Sequence, residues 1–310
     1  MYPFFTHPHR WRRILLMVIG LVALLGQPQP SQAATTLVTN RNDRGTGSLR
    51  QTIADAAPGA VVSFAPALSG ATIVLTSGPI AINTTLTIDS STLPVAPTVS
   101  GNQAKGIFSL SNSSVITLTR LTLSHGKSNY GGAIYNGGTL TLDRVTLSAN
   151  QALNGGALYN VGSATVLNST LSGNSAYSGG GIDNYGQLTL KNSTLAGNSA
   201  VNTGGALYNA GTLQLYNTLL ADSSGDLDCH NANDPFFGLF GVINANVGSL
   251  TEDGSCAAAL SGDPKLAPLA LVDGVLVHQI AADSPAIDAG DSATCLAVDQ
   301  RQATRPQATA

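Results

Sequence analysis

One six-residue block returns along the chain at a nearly constant step. Gly131-Gly132-Ala133-Ile134-Tyr135-Asn136 recurs as Gly155 to Asn160, Gly179 to Asn184 and Gly204 to Asn209, with offsets of 24, 24 and 25. A second block keeps the same phase, in Ile116-Thr117-Leu118, Leu140-Thr141-Leu142, Ala164-Thr165-Val166, Leu188-Thr189-Leu190 and Leu213-Gln214-Leu215. A third follows as Leu147-Ser148-Ala149-Asn150, Leu171-Ser172-Gly173-Asn174 and Leu195-Ala196-Gly197-Asn198. A fixed step of roughly 20 to 50 residues means stacked units, each completing its core against its neighbours.

The unit is β rather than helical. Leu140 and Leu142 point one way and Thr141 the other, and helical spacing of apolar residues is absent. The short runs are separated by Asp143-Arg144, by Asn150 to Asn154 and by Gly137-Gly138. They cannot pair as hairpins within one unit, but they can form one turn of a coil. Each run then pairs in parallel with its counterpart about 4.8 Å away, with right-handed winding as the rule for parallel connections. The expected fold is therefore all-β, a right-handed parallel β-helix. Stacking predicts two ladders of side-chain amides, Asn136-Asn160-Asn184-Asn209 and Asn150-Asn174-Asn198. The paired glycines admit close contact between coils that a Cβ would hinder.

The ends differ from this body. Arg10, Arg12 and Arg13 precede an apolar run of 12 residues, Ile14 to Leu25, and the small residues around Ala33 follow a helix-breaking Gly26-Gln27-Pro28-Gln29-Pro30. The run is short of the roughly 20 residues that span a bilayer, so residues 1–33 are expected to be a cleaved signal peptide that leaves no transmembrane anchor. Residues 34–115 read as an N-terminal cap with irregular coils, in which Ser48-Leu49-Arg50-Gln51 opens a short helix that covers the end of the core. Residues 116–224 carry the regular repeats. Residues 225–310 form a loop-rich module expected to cover the other end.

Charge supports that division. Removing residues 1–33 takes away three of 14 basic groups and none of the 17 acids, and 12 of those acids fall between Asp222 and Asp299. The acidic balance argues against nucleic acid as a partner. All three cysteines, Cys229, Cys256 and Cys295, lie in the C-terminal module. In an oxidising compartment one pair and one leftover are expected, with Cys229–Cys256 preferred because it staples the stretch of Asn231, Asn233, Asp234 and Pro235.

Tyr135, Tyr159 and Tyr208, with Asp183 at the fourth position, are expected to align outward while Ile134, Leu158, Ile182 and Leu207 point inward. Such a column can stack on sugar rings or bury against a partner, and it can equally pack on itself along the ladder. These four residues are the candidate binding site. Asp143 and Asp183 fall on different strands and are not expected to meet, as a glycosidase pair must. Asp226 with Asp228, and Asp288 with Asp291, read as turn-capping aspartates. His125, His230 and His278 lack metal-ligand spacing, and no nucleophile elbow, phosphate loop or cofactor motif occurs. No metal, cofactor or catalytic residue is assigned.

The Gly-Gly-Ala-Ile/Leu-Tyr-Asn and Leu-x-x-Asn blocks resemble the short repeats of chlamydial polymorphic outer membrane proteins, with leucine in place of phenylalanine. Val38-Thr39-Asn40 through Gly47-Ser48-Leu49-Arg50-Gln51-Thr52-Ile53, and Asp283-Ser284-Pro285-Ala286-Ile287-Asp288-Ala289-Gly290-Asp291 with Asp299-Gln300-Arg301 and Arg305-Pro306, resemble bacterial surface proteins with a choice-of-anchor Q domain. The resemblance implies a pectin-lyase-like β-helix, secreted or at the bacterial cell surface. It also implies that Cys295 stays unpaired, because the cysteine near the family's end is missing here. The leading functional expectation is a non-catalytic adhesion or passive-interaction protein that meets a glycan or a surface protein. The alternatives are a polysaccharide lyase or glycoside hydrolase, common on this fold, and a structural spacer of a larger surface protein.

Overall fold

Period-two alternation places Leu118, Leu142, Val166, Leu190 and Leu215 inside, and all five are fully buried. They stand in one parallel register, each opposite the next across successive strands. In the computed structural model, which describes residues 35–234 and 238–305, the chain is a parallel β-helix of about 8 turns. The expected signal peptide at residues 1–33 lies outside the described residues.

Each turn visits three parallel sheets. Sheet I has nine strands, from Thr35–Val38 to Val242–Val247, sheet II nine, from Thr72–Val74 to Leu260–Ser261, and sheet III seven, from Ile80–Ile82 to Cys229–Asn231. Their inward residues make one continuous core that runs from Val38 to Cys256. Both amide ladders form. Asn136, Asn160, Asn184, Asn209 and Asn231 are linked by Nδ2–H···Oδ1 bonds of 2.7 Å, and Asn150, Asn174 and Asn198 by bonds of 2.9 Å. Each amide also satisfies backbone groups at a coil corner, such as the Leu147 carbonyl that accepts from Asn174.

The two glycines of each pair have different reasons. Gly155 sits at φ +64, a left-handed turn where a side chain is strained. Gly156 has no such φ, but a Cβ there would stand 2.1 Å from the Gly180 carbonyl oxygen of the next coil.

A short helix holds the N-terminal end. Helix α1, Leu49–Asp55, is capped by Ser48, whose Oγ accepts from the Gln51 N–H at 3.2 Å. Leu49 and Ile53 join the core, so the helix closes the first coil as expected.

The C-terminal module departs from the expectation. Stacking continues past residue 224, because Cys229–Asn231, Val242–Val247 and Leu250–Thr251 pair with the strands of the preceding coil. From residue 262 to residue 305 the chain contacts the outer side of sheet II as well as the last coils. It turns back along the outer face of sheet II as a strap. The physical reason lies in that face, where Thr122, Ser124, Thr146, Ser148, Thr170 and Ser172 are outward yet buried. Their hydroxyls hold the strap: Thr146 donates to the Leu276 carbonyl at 2.8 Å, Thr170 donates to Gln300 at 2.7 Å, and Ser172 meets His278 Nε2 at 2.8 Å. A hairpin of Ala270–Val272 and Val275–Val277 packs Val275 and Val277 against Ala96 in a second small core.

Arg120 anchors the hairpin turn. Its guanidinium donates to the carbonyls of Leu93, Pro94 and Asp273, and burial pushes its pKa down. Arg120→Ala leaves those carbonyls without a donor and is expected to destabilise the protein by about 1–3 kcal/mol in urea unfolding, with the strap becoming the first site of protease cleavage. Cys229 and Cys256 form a disulfide across 27 residues and Cys295 is free and exposed. Reducing the bond is expected to lower stability by about 3 kcal/mol, read as a shift in the urea midpoint.

Candidate functional site

Sheet III brings the expected site residues together. Tyr135, Tyr159, Asp183 and Tyr208 stand in register on adjacent strands, and His230 continues the row. Their inward neighbours Ile134, Leu158, Ile182 and Leu207 are fully buried, which fixes the opposite face of each strand outward.

The row is larger than the repeat alignment indicates. Tyr135 and Tyr159 stack with centroids 5.8 Å apart and planes at 21°, and Tyr208 stacks on His230 at 5.5 Å and 11°. Tyr130 joins from the preceding corner, 4.9 Å from Tyr159, and Tyr185 from the following one, 5.6 Å from Tyr159 and 6.2 Å from Tyr208. Six rings thus form one ribbon along the solenoid. Tyr130 and Tyr185 are 50% and 36% exposed, so the ribbon is partly open to solvent while its rings also pack on one another.

Asp183 differs from the expectation of an outward, accessible residue, because it is fully buried. A carboxyl is shorter than a phenol and leaves a gap in the column, and Tyr185 fills that gap from two residues further on. Asn154 Nδ2 donates to Oδ2 at 2.9 Å, whereas Oδ1 is buried without a hydrogen-bond partner. An unsatisfied buried polar atom costs about 1–3 kcal/mol. Burial pushes the Asp183 pKa up to about 7, only partly opposed by the Asn154 bond. The rings respond in turn. Burial and then the charge of Asp183 push Tyr159 up to about 12, and the same two causes raise Tyr185.

At the end of the row His230 Nδ1 meets Asp226 Oδ2 at 2.9 Å. Burial acts to raise the Asp226 pKa, but donors from Gly204, His230 and Leu227 outweigh it and hold the carboxyl low. Asp228 has separate partners: it is buried against the Glu252 N–H and is raised to about 6, first by burial and further by Asp253 and Glu252. The two aspartates therefore do not act as a pair. Asp143 is ion-paired to Arg144 on sheet I and does not meet Asp183. Asp291 accepts from Thr294 within its turn, as a capping aspartate does. Among the described residues no cluster of three or more His, Cys, Asp or Glu could hold a metal ion.

A cleft of about 620 Å³ lies elsewhere, between the strap and the last coils, with Leu250, Ile287, Cys295 and Arg305 in its lining. Several of its polar side chains are already engaged in holding the strap. Asn217 bonds the backbone of Asp291, and Arg305 donates to Asn168, Leu296 and Val298. The cleft is a structural seam, and the ribbon is the better candidate on chemistry. Among the described residues no helix is long and apolar enough to cross a membrane. No protein-family model matches the chain, and no curated protein matches it.

Proposed function

We propose that this is an exported, non-catalytic β-helix of the bacterial surface or surroundings, which adheres to a glycan through the aromatic ribbon of sheet III. One observation carries the reading: six rings in a continuous row on a rigid scaffold, with two of the rings substantially exposed. Aromatic groups give contact area with little entropy to lose, and a polar tip on each ring orients a hydroxylated ligand. The disulfide accords with an oxidising compartment outside the cytoplasm. The resemblance of the repeats to polymorphic outer membrane proteins, and of both ends to choice-of-anchor Q proteins, supports a surface location.

A glycan panel tests this. The protein is expected to bind a subset of glycans, with Tyr159→Ala and Tyr208→Ala each weakening binding at least several-fold while the unfolding midpoint shows the coil intact. Equal binding by both variants contradicts the reading. A carbohydrate-active enzyme has one observation in its favour, the raised Asp228 beside Glu252 and Asp253. Incubation with pectin, alginate and related polysaccharides, with and without Ca²⁺, separates the two, since reproducible chain cleavage supports the enzyme.

A further inference from the structure

Asp183 interrupts a row of aromatic rings with a carboxyl whose Oδ1 has no partner, a combination that packing alone leaves unexplained. Tyr159 and Tyr208 flank it one rung to either side. At about 4.8 Å per rung their strands stand roughly 9.6 Å apart, so a group midway, with both rings projecting straight out from the sheet, lies about 4.8 Å from each. That is inside the roughly 6 Å over which a cation is attracted to an aromatic face. The space is now taken by the ring of Tyr185, 5.6 Å and 6.2 Å from the two flanking rings. Ring contacts hold Tyr185 there, and no hydrogen bond of its hydroxyl is present among the described residues. A side-chain rotation of Tyr185 therefore uncovers a floor with one free carboxylate oxygen between two aromatic walls.

We propose that this is a receptor for a protonated amine, and that the ligand is a glycan containing amino sugars without their acetyl groups. The proposal rests on the glycan reading above and narrows it to one chemistry. A neutral sugar hydroxyl could hydrogen-bond Oδ1, but only a cation gains from both the walls and the floor. The acidic excess of the chain, 17 acids against 14 basic groups, favours the same sign of ligand. The groups facing Asp183 are Tyr159 and Tyr208 on the adjacent strands, Tyr185 above, and Asn154 at the preceding corner, with Tyr130 beyond it against the ring of Tyr159. Beyond Tyr208 lies the His230–Asp226 pair. Among the described residues no cation is paired with Asp183.

Calorimetric titration of the purified protein with a glucosamine trimer and with an N-acetylglucosamine trimer tests the proposal. The free-amine trimer is expected to bind about tenfold or more tighter than the acetylated one, and Asp183→Asn to remove about that factor. Binding is expected to strengthen from slightly acid to neutral pH, as Asp183 becomes ionised, and to fall again in alkaline solution, where the sugar amine loses its proton. Tyr185→Ala, which opens the site without altering its floor, is expected to keep or improve the affinity for the amine. Equal affinity of Asp183→Asn and the parent for the free-amine trimer overturns the amine site, and so does failure of that trimer to bind. If the acetylated trimer still binds and Tyr159→Ala weakens it, the glycan surface stands and only the amine site fails. If a simple alkylamine such as butylamine binds through Asp183 as tightly as the free-amine trimer, the amine site stands and the glycan reading fails.

Discussion

Asp183→Asn is expected to make the protein more stable at pH 8, by up to about 4 kcal/mol, and to leave it nearly unchanged at pH 3. The carboxyl has a folded-state pKa of about 7 against an ordinary value of 3.8. Below the ordinary value it is protonated in both states and nothing is lost. As pH rises the unfolded chain ionises first, so stability contributed by the neutral carboxyl falls through the window between these two values and is gone above the folded one. Three units at about 1.4 kcal/mol each give the magnitude. Asn removes the ionisation but keeps the acceptor for Asn154, while its own amide takes over the unpartnered position and trims the gain. Urea unfolding at a series of pH values reads the effect. Asp228, raised to about 6, contributes a smaller slope of the same sign that the substitution does not remove.

Gly156→Ala is expected to cost about 4 kcal/mol or more, in the range reserved for backbone clashes and large cavities. The added Cβ would lie 2.1 Å from the Gly180 oxygen and 2.7 Å from the Ser175 nitrogen and oxygen, all backbone atoms of the next coil. Nothing there can give way without separating two coils. Gly173→Ala is the control, because its φ of +62 is strained but a Cβ there meets nothing within 4 Å. It is expected to cost only about 1 kcal/mol. Comparable losses at the two positions contradict the close approach of the coils.

The coil was legible because its determinants repeat. The inward leucines, the asparagine ladders and the tyrosine column each depend on one register, and a step of 24 displays that register directly. Upstream the step varies: Ile82 pairs with Leu110 and Leu86 with Ile116, offsets of 28 and 30, and the strands Thr35–Val38, Ile80–Ile82 and Thr98–Ser100 were hidden by that drift. The strap was scarcely legible. It occurs once, and contacts such as Gln300 with Thr146 join residues 154 apart, where no local pattern reports a partner. The Thr-Leu-Ser triplets at 122, 146 and 170 carried a trace of it, since both outward positions are small and polar on every rung.

The site was half legible for a related reason. Repeat alignment put Asp183 in line with three tyrosines and so assigned it their exposure. Its burial is decided by Tyr185, whose equivalents in neighbouring repeats are Gly137, Val161 and Ala210. A residue that appears in one repeat only leaves no periodic signal. His230 was likewise out of step, 22 residues after Tyr208, although the structure sets the two opposite each other.

A carbon-13 NMR titration of the Asp183 carboxyl, assigned through Asp183→Asn, tests most directly whether the stacked repeats enclose this group within the ribbon. The enclosed carboxyl is expected to titrate near pH 7. A midpoint near 4, the value of a solvated aspartate, contradicts the closed row and with it the site built on it.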